Sequence, residues 1–153
     1  LAPLIGKWSL SLLVTGSGAA ALYALGHPGR AGAGWLAAAA LPLVAMLLLA
    51  AIELGSDSMV PFPGATWRRC LLAMATLGPL GLAAGVVAVR QLAPVRLREA
   101  GLAAGLIGGG IAMTAYAPFC PEQGALFVLA FYGLPIVICA LAGWLAGPRL
   151  LRW

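Results

Sequence analysis

Apolar residues run along this chain in five long, nearly unbroken stretches, separated by short segments rich in proline, glycine and charge. The stretches cover about residues 4–25, 33–53, 70–89, 99–117 and 124–146. A bilayer core of ~30 Å is crossed by ~20 apolar residues wound as an α-helix, and each stretch is about that long. A β-barrel wall would show residues alternating in and out with period two. These runs are instead continuous and dominated by Ala, Leu and Gly, so helices are predicted. The turns between them carry strong breakers: Gly26-His27-Pro28-Gly29, Pro61-Phe62-Pro63-Gly64, Ala93-Pro94, and Pro118 with Pro121. The pattern predicts an all-α, polytopic transmembrane helix bundle, with residues 1–153 as a single integral membrane domain of five spans.

Composition narrows the function classes. Of 153 residues, 63% are hydrophobic and 8% charged, against about 25% charged in an average soluble domain. The mean hydropathy is +1.03. Too few polar side chains are present to cover a water-facing surface, which argues against a soluble enzyme, a disordered tail or a direct nucleic-acid binder. The pI of 9.7 comes from a net charge of only +5 and does not alter this.

The few charges set an orientation. Arg30, Arg90, Arg96, Arg98, Arg149 and Arg152 flank one side of the predicted spans. Lys7, Arg68 and Arg69 flank the other, together with Glu53, Asp57 and Glu122. The positive-inside rule places the six-basic side in the cytoplasm, and with it the C-terminus. Trp8 and Trp67 then fall at outer boundaries, and Trp35, Trp144 and Trp153 near inner ones. Five spans with the C-terminus inside leave Leu1 outside, without Met and without a signal-cleavage pattern. A sixth span upstream in the full protein is therefore expected.

Glycines recur at four-residue spacing as Gly81/Gly85, Gly101/Gly105/Gly109 and Gly143/Gly147. Such spacing lets a second backbone approach closely, and intramolecular packing is expected over dimerisation. Pro42, Pro79 and Pro135 fall inside spans and predict kinks. Tyr132 lies deep in the last span, where its hydroxyl requires a partner that the sequence does not name.

Chemistry is sparse. The span interiors hold no ionisable group, since Lys7, Glu53 and Glu99 sit near ends, where snorkelling suffices. This disfavours a proton-coupled transporter. His27 is the sole histidine and is expected as a solvated turn residue. No metalloprotease, phosphate-loop or Ser–His–Asp pattern occurs, so no enzyme and no resident cofactor are expected. Of the cysteines, Cys139 lies within the last span and is expected to be packing. Cys70 and Cys120 cap the outer ends of the third and fourth spans, on the same side and 50 residues apart. Arg68 and Arg69 are expected to favour the thiolate at Cys70. Both thiols are expected to be reachable from outside, and helix-end spacing of ~8–10 Å leaves open whether they touch.

The C-terminal half resembles the NrsF family, bacterial membrane anti-sigma factors of six spans. The resemblance rests on Tyr116-Ala-Pro-Phe-Cys120-Pro-Glu122, Phe127-Val-Leu-Ala-Phe-Tyr132-Gly133-Leu and Gly147-Pro-Arg-Leu-Leu-Arg-Trp153. It extends to Gly64-Ala-Thr-Trp67-Arg-Arg-Cys70-Leu-Leu, and more loosely to residues 1–59. The family usually carries His before the second cysteine, where this chain has Phe119, so any metal or proton role of that His is absent. The resemblance implies an inner-membrane protein that sequesters an extracytoplasmic-function sigma factor through an N-terminal cytoplasmic segment absent from this chain. A periplasmic oxidant or metal ion acting on Cys70 and Cys120 as sensing thiols would release the sigma factor. Whether the two pair or transiently share a metal stays open. The competing readings are a transporter or channel subunit and a structural membrane protein with inert cysteines.

Overall fold

The computed structural model of the protein describes residues 2–27, 33–55, 64–92, 94–122 and 124–152. Arg30, Asp57, Trp153 and the turn residues 28–29 and 61–63 lie outside these. The described residues form five helices and no strand: α1 (Ala2–Leu25), α2 (Ala33–Gly55), α3 (Trp67–Arg90), α4 (Leu97–Tyr116) and α5 (Ala125–Leu150). Four of them contain stretches long and apolar enough to cross a membrane, namely Ile5–Leu25, Trp67–Arg90, Leu97–Phe119 and Ala125–Leu150. Within α2, Ala40–Gly55 is likewise apolar.

The helix at the centre is α4. Its inward positions are Gly and Ala (Gly101, Ala104, Gly105, Gly108, Gly109 and Ala112 are all buried), so neighbouring backbones press directly onto it. A β-carbon at Gly101 would collide with the carbonyl of Gly143 on α5, and one at Gly108 with the backbone of Gly81 on α3. Gly85 likewise meets Ala104, and Gly147 meets Leu97. The four-residue glycine spacing thus serves packing within one chain, as expected.

α1 lies against the same central helix through hydroxyls as well as apolar contacts. The Thr114 hydroxyl lies 2.9 Å from that of Ser11 and 2.8 Å from the Gly110 carbonyl, with one proton to share between them, while Ser11 donates to the Trp8 carbonyl at 3.0 Å. α2 sits at the periphery, against α1 and the start of α5. The outer surface is apolar, with Leu12, Leu41, Leu48, Leu72, Leu80 and Leu145 exposed. In water such a surface would aggregate; in hydrocarbon it is simply solvated.

The segments expected on one side gather at one end of the bundle. There the Leu126 amide, near the start of α5, donates to Glu53 at 3.1 Å, and the Ala65 amide donates to Glu122 at 3.0 Å. At the opposite end Arg98 lies over the Trp144 ring at 4.9 Å, and Arg96 pairs with Glu99 at 3.2 Å. His27 is exposed beside Tyr23, as a turn residue would be. Pro42 and Pro79 remain inside continuous helices. Pro135 instead follows a π-helical turn, Leu129–Gly133. It has no N–H for the carbonyl of Phe131 and crowds that carbonyl with its ring, which gives the widened turn its physical cause.

Candidate functional site: a buried dithiol

Cys70 occupies the first turn of α3, its amide bonded to the Thr66 carbonyl at 3.1 Å. Its side chain is on the inward stripe that continues through Met74 and Gly78, the four-residue repeat of a buried helix face. Cys120 reaches the same point from the other direction. α4 tightens into a 3-10 turn, Ala117–Phe119, and Cys120 leaves it extended at φ −104° and ψ 112°. Pro121 enforces that exit, because the residue before a proline is driven out of the helical region.

The two sulfurs lie 3.3 Å apart, as free thiols. The Tyr132 hydroxyl is 3.7 Å from the Cys70 sulfur, brought there by the π turn of α5. Tyr132 and Cys70 are fully buried, and Cys120 is 6% exposed. The Tyr116 ring stands 6.3 Å from that of Tyr132 and closes the apolar wall.

A carboxylate clamp fixes the approach. Glu122, two residues past Cys120, accepts from the Ala65 amide at 3.0 Å and from the Thr66 hydroxyl at 3.4 Å. The chain entering α3 is thereby tied to the chain leaving α4. Gly64 makes the close approach possible: its φ is +79°, and a β-carbon there would stand 2.8 Å from the Glu122 carboxylate.

The fourth contributor comes from α1. Lys7 is 4% exposed, and its ammonium donates to the Cys120 carbonyl at 2.8 Å. It also stands 5.9 Å from the centre of the Tyr132 ring. The expectation that Lys7 snorkels at a span end is thus corrected, since its charge is enclosed by the bundle. The missed signal was its register. Lys7, Ser11 and Thr15 recur every four residues, a polar stripe that must face protein rather than lipid.

Electrostatics single out Cys120. Its thiol is pulled from an ordinary 9.0 down to about 5, chiefly by the hydrogen bond from Cys70, against the opposing effect of burial. The Tyr132 hydroxyl, the Glu122 backbone and the Lys7 charge reinforce the shift. The expected help to Cys70 from Arg68 and Arg69 is replaced by this arrangement. Arg68 is exposed and stacks over Trp67 at 5.3 Å. The expectation that both thiols are openly reachable is also corrected, because Cys70 is fully buried and Cys120 nearly so. Cys139 is buried against Gly78, 3.0 Å from where a β-carbon would sit, and remains a packing residue.

The pH dependence follows from the sign of the shift. A lowered pKa means that the thiolate is already formed at neutral pH. The rate at which Cys120 reacts with a small neutral alkylating reagent such as iodoacetamide should therefore rise near pH 5 and level off above it. An ordinary thiol would gain roughly tenfold per unit from about pH 6.5 to about pH 8. Stopped-time alkylation read by mass spectrometry distinguishes the plateau from the climb.

A low-pKa sulfur in contact with a second thiol is suited to dithiol–disulfide chemistry. The pair offers two sulfurs, and among the described residues no group of three or more His, Cys, Asp or Glu that could hold a metal ion is present.

Comparison with known proteins adds context to this geometry. The model of the NrsF family, described as "Negative regulator of sigma F", matches residues 1–153. The chain is 38% identical over 153 residues to the "Probable anti-sigma-F factor NrsF" of Azospira oryzae, an alignment covering 95% of this chain and 72% of that protein. It is 41% identical over 90 residues to the "Anti-sigma-F factor NrsF" of Caulobacter vibrioides, covering 59% of this chain and 42% of that one. No solved structure matches the chain.

Proposed function

The chain belongs to the NrsF family of negative regulators of sigma F, and on that premise we propose that it is the membrane-embedded sensor of an anti-sigma factor whose Cys70–Cys120 pair reports oxidants outside the cytoplasm. The partner is an extracytoplasmic-function sigma factor, held at the bacterial inner membrane while the thiols are reduced. The apolar exterior supports the bilayer as its surroundings. The six-to-three asymmetry of basic flanks supports a cytoplasmic C-terminus and a periplasmic dithiol.

The single observation that carries the reading is the 3.3 Å contact between the sulfur of Cys70 in α3 and that of Cys120 just past α4. With a hydroperoxide as oxidant, the Cys120 thiolate attacks the terminal oxygen and the O–O bond breaks. The alkoxide or hydroxide released takes up a proton, and Cys120 becomes a sulfenic acid. The Cys70 sulfur then attacks the Cys120 sulfur. Hydroxide leaves and, with the proton that Cys70 gives up, forms water. Two electrons have passed from the sulfurs to the peroxide, and a disulfide links α3 to the end of α4. The disulfide replaces a thiol contact by a covalent bond and removes the Cys120 thiolate at the sensing end, a local change suited to biasing a two-state bundle.

The test is transcriptional. In cells carrying the full-length protein, Cys70→Ser or Cys120→Ser should leave repression intact and abolish induction of a sigma-F-dependent reporter by peroxide. Undiminished induction in either variant would overturn the sensing role.

A further inference from the structure

We propose that Lys7 is the positioning residue of the dithiol: its ammonium holds the Cys120 main chain and supplies the positive charge beside the reactive sulfur, so that α1 grips the reduced pair. The inference rests on the dithiol reading above and deepens it.

An ammonium enclosed in an apolar bundle is costly unless it is hydrogen-bonded and offset by negative charge. The contacts of Lys7 go to members of the dithiol site. One is the Cys120 carbonyl at 2.8 Å, and the other is the Tyr132 ring at 5.9 Å, a cation–π distance. Both partners are neutral. The Cys120 thiolate is the anion that completes the arrangement, and its pKa is lowered partly by the Lys7 charge. The arrangement is reciprocal: the lysine favours the thiolate, and the thiolate favours burial of the lysine. Disulfide formation removes the anion and leaves the ammonium with neutral partners alone. The first turns of α1 are thus held more tightly in the reduced state than in the oxidised one.

Other titratable groups facing Cys120 are Cys70 from α3, Tyr116 from α4, Tyr132 from α5 and Glu122 in its own segment. The variants Lys7→Met and Lys7→Arg change none of these. In the full-length protein in lipid nanodiscs, the pH profile of Cys120 alkylation by iodoacetamide should move upward in Lys7→Met. A shift of one pH unit corresponds to about tenfold slower reaction below the midpoint. Lys7→Arg should retain most of the wild-type rate, because it keeps the charge. Peroxide should still form the Cys70–Cys120 disulfide in Lys7→Met at alkaline pH. Hydrogen exchange in residues 2–10 should rise on oxidation of wild type, and be already raised and unresponsive in Lys7→Met. An unchanged alkylation profile in Lys7→Met with normal disulfide formation would overturn the role of Lys7 and leave the dithiol reading standing. Failure of wild type to form the disulfide would overturn the dithiol reading itself. If Lys7→Met does not fold, Lys7→Gln decides: a profile moved upward in the folded variant supports the requirement for charge, and an unchanged profile would overturn it.

Discussion

Treating the reduced protein in membranes with excess hydrogen peroxide is expected to leave one free thiol per chain in place of three. The Cys70 and Cys120 sulfurs are already 3.3 Å apart, and a disulfide requires closure to ~2.05 Å. That displacement is of the order of a side-chain torsion and needs no helix to travel. Cys139 should remain reduced, because on α5 it is buried against Gly78 of α3, with no thiol partner among the described residues there. Denaturing the product and tagging its thiols with a heavy maleimide gives the count directly. Proteolysis should yield a single linked pair of peptides containing residues 70 and 120. Retention of three tags, or a linkage through Cys139, would contradict the geometry. The effect is large because it is nearly stoichiometric.

Gly101→Val is expected to disrupt the bundle. A β-carbon at this position meets the carbonyl of Gly143 and approaches the Cα of Gly147. These are backbone atoms and cannot rotate aside as a side chain would. Relief requires α4 and α5 to separate along their length, which loosens every close contact in that seam. Overpacking of a core ordinarily costs about 1–3 kcal/mol, and a collision between two backbones should lie at or above the top of that range. The internal control is Gly16→Ala on α1, where nothing lies within 4 Å of the added carbon. That change should be neutral or stabilise the helix by ~0.5–1 kcal/mol. Thermal unfolding in mild detergent, followed by circular dichroism, compares the two. Equal melting curves for Gly101→Val and wild type would show that α4 and α5 do not pack as described.

Most of the architecture was legible in one dimension. Long apolar runs predict helices because a chain with so little polar surface has few other ways to satisfy its backbone in hydrocarbon. The placement of Cys70 and Cys120 at one end followed from counting helices and charges between them. Their contact did not follow, since the side-by-side distance of two helix ends depends on which residues line the seam. Here it is set by glycines on α4, by Pro121 behind Cys120 and by the grip of Glu122. Glu122 was legible only as a loop charge, because its partners are a backbone amide and a hydroxyl 56 or 57 residues away. Tyr132 announced its need for a partner through burial alone. The π turn that brings it to Cys70 is a response to Pro135 and leaves no hydropathy signal. The enclosure of Lys7 escapes hydropathy for a related reason: position along a span says how deep a charge lies, and only its helical face says whether it meets lipid or protein.

By joining the chain that enters α3 to the chain that leaves α4, Glu122 sets the effective concentration of one thiol at the other. In a flexible chain the pair would meet only by closing a loop of about 50 residues, a search whose entropic cost grows with the logarithm of loop length. In the folded bundle that search is complete before any oxidant arrives. The reverse reaction has no such advantage. Reduction by exchange needs an external thiolate to reach one of the two sulfurs, and both are enclosed, Cys70 entirely. On the proposed dithiol reading, setting is expected to outpace resetting, and the pair would act as a latch with memory, holding its oxidised state after the stimulus has gone until the clamp end of the bundle opens.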